Sequence, residues 1–199
     1  MTRIGKREWI RARLRWIAPV CALAALAFVL TLKVWETTAP PRPPTPSAIM
    51  PALAIMARTE STAELRRVLD SNDVAYSFVA MPPGTFGHYT INQKVVEMDL
   101  RLIDEDPVTL AALLAHEATH ARDAVSGYLS IGGANACIDS ELRAFRASAQ
   151  FWSEMYGPAG KPDPADDLQQ QMNLVSQYEL RDPAGLERLI RQTYVNQCG

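Results

Sequence analysis

At the centre of this 199-residue chain stands the sequence His116-Glu117-Ala118-Thr119-His120. It holds two of the three histidines four residues apart, with a carboxylate between them. On an α-helix each residue advances by about 100°, so the two imidazoles lie about 40° apart around the axis and roughly 6 Å apart along it. Both rings then reach one ion, a pattern typical of zinc hydrolases. Glu117 points to the neighbouring side, where it can take a proton from water.

The residues around the motif predict the helix that it requires. Asp106 is a suitable N-cap, and Pro107 fits the first helical position because its missing N–H needs no partner there. Gly127 is a suitable stop. Between them, apolar residues recur at helical spacing: Leu110, Leu113, Leu114, Ala118 and Ala121.

A catalytic zinc site also needs a third protein ligand, and Glu141 is the best candidate. It lies in a second predicted helix, whose apolar stripe packs it against the core so that its first turn faces the histidines. The stripe consists of Leu142, Phe145, Ala149 and Trp152. Asp123 lies about 20° from His116 on the same helical face, so it either orients an imidazole or is itself the third ligand.

The motif together with the downstream Glu141-Leu142-Arg143-Ala144 resembles the small gluzincin metallopeptidases, over roughly Gly84 to Met155. The resemblance implies one Zn²⁺ per chain, a peptide or protein substrate, and Glu117 as the base that activates a zinc-bound water. It implies three zinc ligands: His116, His120 and Glu141. Larger gluzincins often carry an aspartate four residues after the ligand glutamate, where this chain has Phe145.

Two strands are predicted upstream, Thr85 to Ile91 and Val95 to Leu102, joined by a hairpin turn at residues 92–94. In the families that the motif resembles, the strand just before the zinc helix runs along the cleft, and an extended peptide adds to its edge. A half-buried strand that only supports the helix is the alternative.

Other local signals predict further helices. Three Asp-Pro pairs predict helices that start near residues 107, 164 and 183. Ser61-Thr62-Ala63-Glu64 predicts a capping box that opens a helix to about Leu69. With the hairpin, these elements predict a compact, helix-dominated α+β domain, zincin-like, over residues 49–199.

The N-terminal part predicts a membrane anchor. Residues 16–35 form an apolar run of 20 residues, long enough to span a bilayer, and the preceding residues 1–15 are mainly basic. By the positive-inside rule, the tail is cytoplasmic and the remainder lies outside the cytoplasm, in the periplasm if the cell is Gram-negative. A cleaved signal peptide is the alternative, with Thr37-Thr38-Ala39 as its site, but Pro40 disfavours cleavage.

A proline-rich linker, residues 36–48, follows the apolar run as a stiff spacer. The residues after position 35 comprise 13 basic against 21 acidic side chains, a net charge of −8. This negative charge argues against nucleic acid as a partner and against binding of the acidic part to an anionic membrane surface. Contact with the bilayer is therefore expected only from residues 16–35.

Cys137 and Cys198 are the two cysteines beyond the apolar run, and an oxidising compartment favours a disulfide between them. That bond would tie the C-terminal helix to the helix that carries Glu141. Two free buried thiols are the alternative.

The sequence therefore predicts a membrane-anchored zinc peptidase that acts outside the cytoplasm. Four side chains are eligible to stabilise an oxyanion: His88, Tyr89, Tyr128 and Tyr194. The first alternative is a catalytically inactive metallopeptidase-like domain that binds or scaffolds a partner in the cell envelope. A metal-free interaction domain follows if both histidines are ordinary helix residues.

Overall fold

The computed structural model describes residues 45–198, which form a helix-dominated α+β domain with a small three-stranded sheet. The predicted fold class is confirmed at that level. The helices are α1 (Met50–Arg58), α2 (Ala63–Ser71), α3 (Pro107–Val125), α4 (Tyr128–Ile131), α5 (Gly133–Tyr156), α6 (Asp167–Arg181) and α7 (Pro183–Cys198). The strands are β1 (Ala75–Val79), β2 (Gly87–Thr90) and β3 (Val95–Asp99), and 3-10 turns span Ser47–Ile49 and Leu100–Leu102.

The predicted cytoplasmic tail, transmembrane helix and most of the linker lie outside the described residues. Within residues 45–198, no helix is both long and apolar enough to cross a bilayer. The regular structure starts with the turn Ser47–Ile49, slightly before the predicted start of the domain at residue 49. Its last residue, Ile49, is fully buried.

Helix α3 carries the histidine motif through the middle of the domain, and its predicted start and end are confirmed. The Asp106 carboxylate accepts a hydrogen bond from the backbone N–H of Val108 at 3.1 Å, and Pro107 occupies the first helical position. After Val125 the chain turns away through Gly127, whose φ of +74° favours glycine. The five apolar residues of its predicted stripe are each at most 4% exposed. Burial on this side fixes the direction in which the histidines project.

Two apolar clusters fix the position of α5, and the first of them joins it to α3. In the first, Phe151 and Trp152 of α5 pack with buried residues of α1, α2, the sheet and α3. In the second, the predicted stripe of α5 contacts α6 and α7 through Leu142, Phe145, Ala149, Val175, Leu186 and Ile190. Because both clusters are buried, α5 presents Glu141 to α3 on a rigid support.

The sheet has the order β1-β3-β2, with β1 parallel and β2 antiparallel to β3. The predicted hairpin is confirmed, although β3 ends at Asp99, where that side chain caps the 3-10 turn by accepting from Arg101 N. β1 was not predicted. β3, the strand before α3, is paired on both sides and has no free edge to which a peptide could add, which favours the alternative that it only supports the helix. β2 is the edge strand on the side of α3.

Three predicted helix starts need correction. Helix α5 begins at Gly133, two turns before Glu141, so Glu141 lies in its interior and not in its first turn. Helix α6 begins at Asp167 and not at residue 164, because Asp166 accepts the capping bond from Gln169 N at 2.8 Å. The capping box does not form: the Thr62 hydroxyl donates to Met56 O at 3.0 Å, and no side chain caps α2. The predicted start of α7 at Pro183 is confirmed.

A disulfide joins Cys137, in the second turn of α5, to Cys198, at the end of α7. The two Cα atoms are 5.6 Å apart, and the bond closes a loop with a sequence separation of 61. It ties the C-terminal helix to the helix that carries Glu141.

We expect reduction of this disulfide to lower the free energy of unfolding by about 3–4 kcal/mol, because a long loop gains entropy in the unfolded chain. Urea denaturation with and without reductant measures the difference, and a Cys137→Ser, Cys198→Ser protein should not respond to reductant. Equal midpoints for the oxidised and reduced wild type would contradict the expectation.

Candidate metal centre

The side chains of His116, His120 and Glu141 converge on one point between α3 and α5. The two histidine Nε2 atoms are 3.2 Å apart. One Glu141 oxygen lies 3.5 Å from His116 Nε2, and the other lies 3.5 Å from His120 Nε2. All three side chains are between 12% and 18% exposed, so the centre is sheltered but accessible from one side.

These three side chains form a donor triangle, whose ligand atoms lie within 4.8 Å of one another and so could share one metal ion. Ligand atoms bound about 2.0–2.2 Å from a tetrahedral ion lie about 3.3–3.6 Å from each other. The two imidazole nitrogens, 3.2 Å apart, lie just below that range, and each is 3.5 Å from a different oxygen of Glu141. Two imidazoles and one carboxylate, with a fourth position open, are the donor set of a catalytic zinc site.

The electrostatics favour the metal-binding protonation state at His120 and Glu141 but not at His116. Burial opposes protonation of His116, but the hydrogen bond to Glu141 and the charges of Glu117 and Glu141 outweigh it and raise the pKa of that imidazole. Burial, aided by His116, lowers the pKa of His120 to about 4, which keeps its imidazole neutral. Burial works against ionisation of Glu141, but the hydrogen bond from His116 and the nearby imidazoles hold its pKa below the usual range. A neutral imidazole beside an ionised carboxylate suits a divalent cation.

Glu117 lies next to the triangle and is not part of it. Its side chain is 2% exposed, and the backbone N–H of Tyr89 on β2 donates to its carboxylate. The Oε2 atom has no hydrogen-bond partner among the described residues. Burial raises the pKa of Glu117 to about 7, and the charge of Glu141 adds to the effect. A buried carboxylate of this kind is suited to exchange protons near neutral pH.

Gly87 on β2 allows the strand to approach this carboxylate. A Cβ atom at position 87 would lie 3.3 Å from Glu117 Oε1 and 3.2 Å from the carbonyl oxygen of Glu97. Both contacts are tighter than ordinary van der Waals packing. A glycine in a strand has several explanations, so the sequence alone does not indicate this close approach.

A chain of hydrogen bonds supports His120 on the Nδ1 side of its ring. His120 Nδ1 lies 2.9 Å from the hydroxyl of Ser140, which donates to Asp123 Oδ2 at 2.8 Å. The guanidinium of Arg143 donates to the same oxygen at 2.8 and 3.1 Å. Asp123 is thus linked to an imidazole through Ser140, as its predicted supporting role requires, and its carboxylate is not part of the donor triangle.

We expect Ser140→Ala to weaken zinc binding by about 10- to 100-fold, because losing the partner of a metal-bound imidazole releases its orientation. A competition titration with a chromophoric chelator measures the affinity. Ser148→Ala is the matched control, since Ser148 is equally buried on the same helix but donates to Phe145 O. Equal affinities for the two variants would show that Ser140 does not position His120.

Phe145 makes an aromatic contact with His116. Its ring meets that of His116 edge to face, with centroids 4.6 Å apart. Tyr194 of α7 packs on the other side of Phe145 at 5.8 Å. The ring of His116 is thus packed against Phe145, whereas Nδ1 of His120 lies within hydrogen-bond distance of Ser140.

A cavity of about 460 Å³ opens in front of the triangle. Three of the four residues considered for oxyanion stabilisation line it: His88, Tyr89 and Tyr194. His88 is bound to Glu97, with 2.8 Å between Nε2 and Oε2. Tyr128 lies elsewhere, with its hydroxyl 3.4 Å from Asp139 and its ring under the guanidinium of Arg143.

The site has the features of a metal centre with an adjacent base. No known protein family, curated protein or solved structure matches this chain. What the centre does is therefore inferred from its own geometry and chemistry.

Proposed function

We propose that this chain is a zinc-dependent peptidase in which His116, His120 and Glu141 hold one Zn²⁺ and Glu117 is the general base. One observation carries the proposal: a triangle of two imidazoles and one carboxylate, with ligand atoms within 4.8 Å of one another, lies beside a buried carboxylate that takes no part in it. A purely structural zinc is usually closed by four protein ligands and needs no base.

The reaction divides between the metal and the side chains around it. When bound, zinc supplies Lewis acidity, which polarises a peptide carbonyl and acidifies water. Glu117 accepts the proton of the attacking water at Oε2 and later returns it to the departing amine. The hydroxyl of Tyr194 is available as an oxyanion donor, because burial, with the charges of Glu141 and Glu117, raises its pKa and keeps it protonated.

We also propose that residues 16–35 anchor the chain in a membrane, with the domain outside the cytoplasm. The support is the apolar run with its basic flank and the disulfide between Cys137 and Cys198, which suits an oxidising compartment. Protease added to intact spheroplasts should then digest the domain and leave the first 15 residues intact. Protection of the domain would overturn this topology.

A catalytically inactive binding domain is the second candidate. It is favoured by Phe145, which leaves His116 without the carboxylate found in larger gluzincins. Such a domain would keep the metal and the fold, but its Glu117 would have no chemical role.

The first test is the zinc content of the full-length protein, purified in mild detergent without chelator or added metal. About one zinc per chain, removed by chelator and restored by zinc, supports the centre. Peptide hydrolysis that follows the same removal and restoration supports the enzyme over the binding domain. A folded protein that refuses added zinc would overturn both.

A further inference from the structure

The disulfide forms part of the wall of the cavity in front of the donor triangle, because Cys137 lines it. Along α5, Cys137 precedes Glu141 by four residues, and along α7, Cys198 follows Tyr194 by four. Residues four apart on a helix share a face. The bond therefore joins the face of α5 that carries Glu141 to the face of α7 that carries Tyr194, whose side chain also lines the cavity.

The last two turns of α7, residues 191–198, lie outside the buried core. Ile190 is the last buried side chain of this helix, at 4% exposed, and it packs in the cluster that joins α7 to α5 and α6. Beyond it, each described residue of α7 is half-buried or exposed, and Val195 is 52% exposed. A helix end with so few buried apolar contacts is expected to open locally unless another bond holds it.

Two contacts to α5 supplement the disulfide in residues 191–198. Arg191 donates to Asp139 at 2.8 Å, but these side chains are 42% and 34% exposed, so water weakens the ion pair. The ring of Tyr194 meets that of Phe145 with centroids 5.8 Å apart. The disulfide is the covalent attachment of this segment to α5. Both of its cysteines are half-buried, within reach of a small dithiol.

We propose that the Cys137–Cys198 disulfide is a redox switch, and that its reduction by a dithiol releases residues 191–198 from α5 and withdraws Tyr194 from the cavity. In its effect on turnover, the inference rests on the proposed peptidase function and names a regulation of that site. Reduction removes the proposed oxyanion donor. It leaves the donor triangle in place, because the triangle is built on α3 and on the interior of α5.

The reduction is a thiol–disulfide exchange. One thiolate of the dithiol attacks a cysteine sulfur and forms a mixed disulfide, and the other cysteine departs as a thiolate. The second thiolate of the dithiol then breaks the mixed disulfide. Two electrons and two protons pass to the protein, so both cysteines end as thiols and the reductant becomes a disulfide. Reoxidation by a disulfide reverses each step.

Hydrogen exchange of the full-length protein in mild detergent tests the release of α7 directly. The oxidised protein is compared with protein reduced by dithiothreitol and then freed of it by gel filtration without air. We expect the amides of residues 191–198 to exchange at least about tenfold faster after reduction, and those of α3 to stay within about twofold. A Cys137→Ser, Cys198→Ser protein should exchange like the reduced wild type with either treatment. Equal exchange of residues 191–198 in the oxidised and reduced wild type would overturn the inference.

Turnover measurements test whether Tyr194 carries the effect. Reduction is expected to lower kcat for a defined peptide by about 100-fold with zinc content unchanged, and reoxidation should restore it. Tyr194→Phe keeps the ring contact, should show the same loss when oxidised, and should respond to reduction by less than about twofold. Loss of zinc on reduction, or a full response of Tyr194→Phe, would place the effect on Glu141 and overturn the inference.

The two proposals fail in different ways. Faster exchange of residues 191–198 on reduction, without any hydrolysis by the oxidised, zinc-loaded protein, would overturn the peptidase and leave the release of α7 standing. Zinc-dependent hydrolysis that is equal in the oxidised and reduced protein would leave the peptidase standing and overturn the switch.

Discussion

Replacing Glu117 by glutamine is expected to lower peptide hydrolysis by about 10²- to 10⁴-fold while zinc content stays at one per chain. The amide keeps the shape of the side chain and can still accept the hydrogen bond from Tyr89 N–H, but it cannot take up a proton at neutral pH. Glu117 lies outside the donor triangle, so the metal is expected to remain. Single-turnover hydrolysis of a peptide, measured beside zinc content, separates the two effects.

The thermal stability of the metal-free protein provides a second test of Glu117→Gln that does not depend on activity. In the metal-free protein, burial raises the pKa of Glu117 to about 7, above its usual 4.5. The folded state then binds this proton more tightly than the unfolded state, so wild-type stability falls as pH rises from about 4.5 to 7. Glu117→Gln lacks this loss, and above pH 7 its metal-free form should melt at a higher temperature than the wild type.

Four results would count against this assignment. Retained hydrolysis would show that another group activates water, and lost zinc would make Glu117 a ligand. If metal-free Glu117→Gln melted below the wild type above pH 7, the raised pKa expected from burial of the Glu117 carboxylate would be contradicted. Equal and negligible hydrolysis by the wild type and the variant, with zinc present, would favour the binding domain.

Local signals were sufficient to predict helix α3. Asp106 and Pro107 define its start through capping and a fixed φ, both of which act within one turn. The four-residue spacing of His116 and His120 is itself a property of the helix, so their convergence follows once the helix is predicted. The structure brings Glu141 to the same point, as the sequence analysis predicted from the apolar stripe of α5.

The remaining features depend on contacts between distant parts of the chain. Ser140 faces Asp123 because α5 crosses α3 in one particular register, and no local pattern reports that register. β1 pairs directly with β3, although β2 lies between them in the sequence. Its partner in the sheet therefore cannot be inferred from adjacent residues. The start of α6 was misplaced because Asp163-Pro164 and Asp166 are both acceptable caps, and the bond to Gln169 N decides between them.

Replacing Glu141 by alanine is expected to weaken zinc binding by more than about 100-fold, beyond the loss expected for a supporting residue such as Ser140. Only two imidazoles remain, and the positive ion loses the one anionic donor of the triangle. Asp139→Asn is the matched control on the same helix, since Asp139 is an acid that pairs with Arg191 at 2.8 Å and lies outside the triangle. Its zinc affinity should stay within about twofold of the wild type.

The same titration tests the choice of third ligand. Asp123→Asn is expected to follow Ser140→Ala, with a 10- to 100-fold loss, because it acts on His120 through the serine hydroxyl. If Asp123→Asn lost more affinity than Glu141→Ala, the carboxylate of α3 would be the ligand and that of α5 a bystander. Because Glu141 oxygens lie 3.5 Å from both imidazoles, we expect Glu141→Ala to lose more zinc affinity than Asp123→Asn. Hydrolysis should fall in parallel with zinc occupancy in every variant of this series, whereas Glu117→Gln should separate the two.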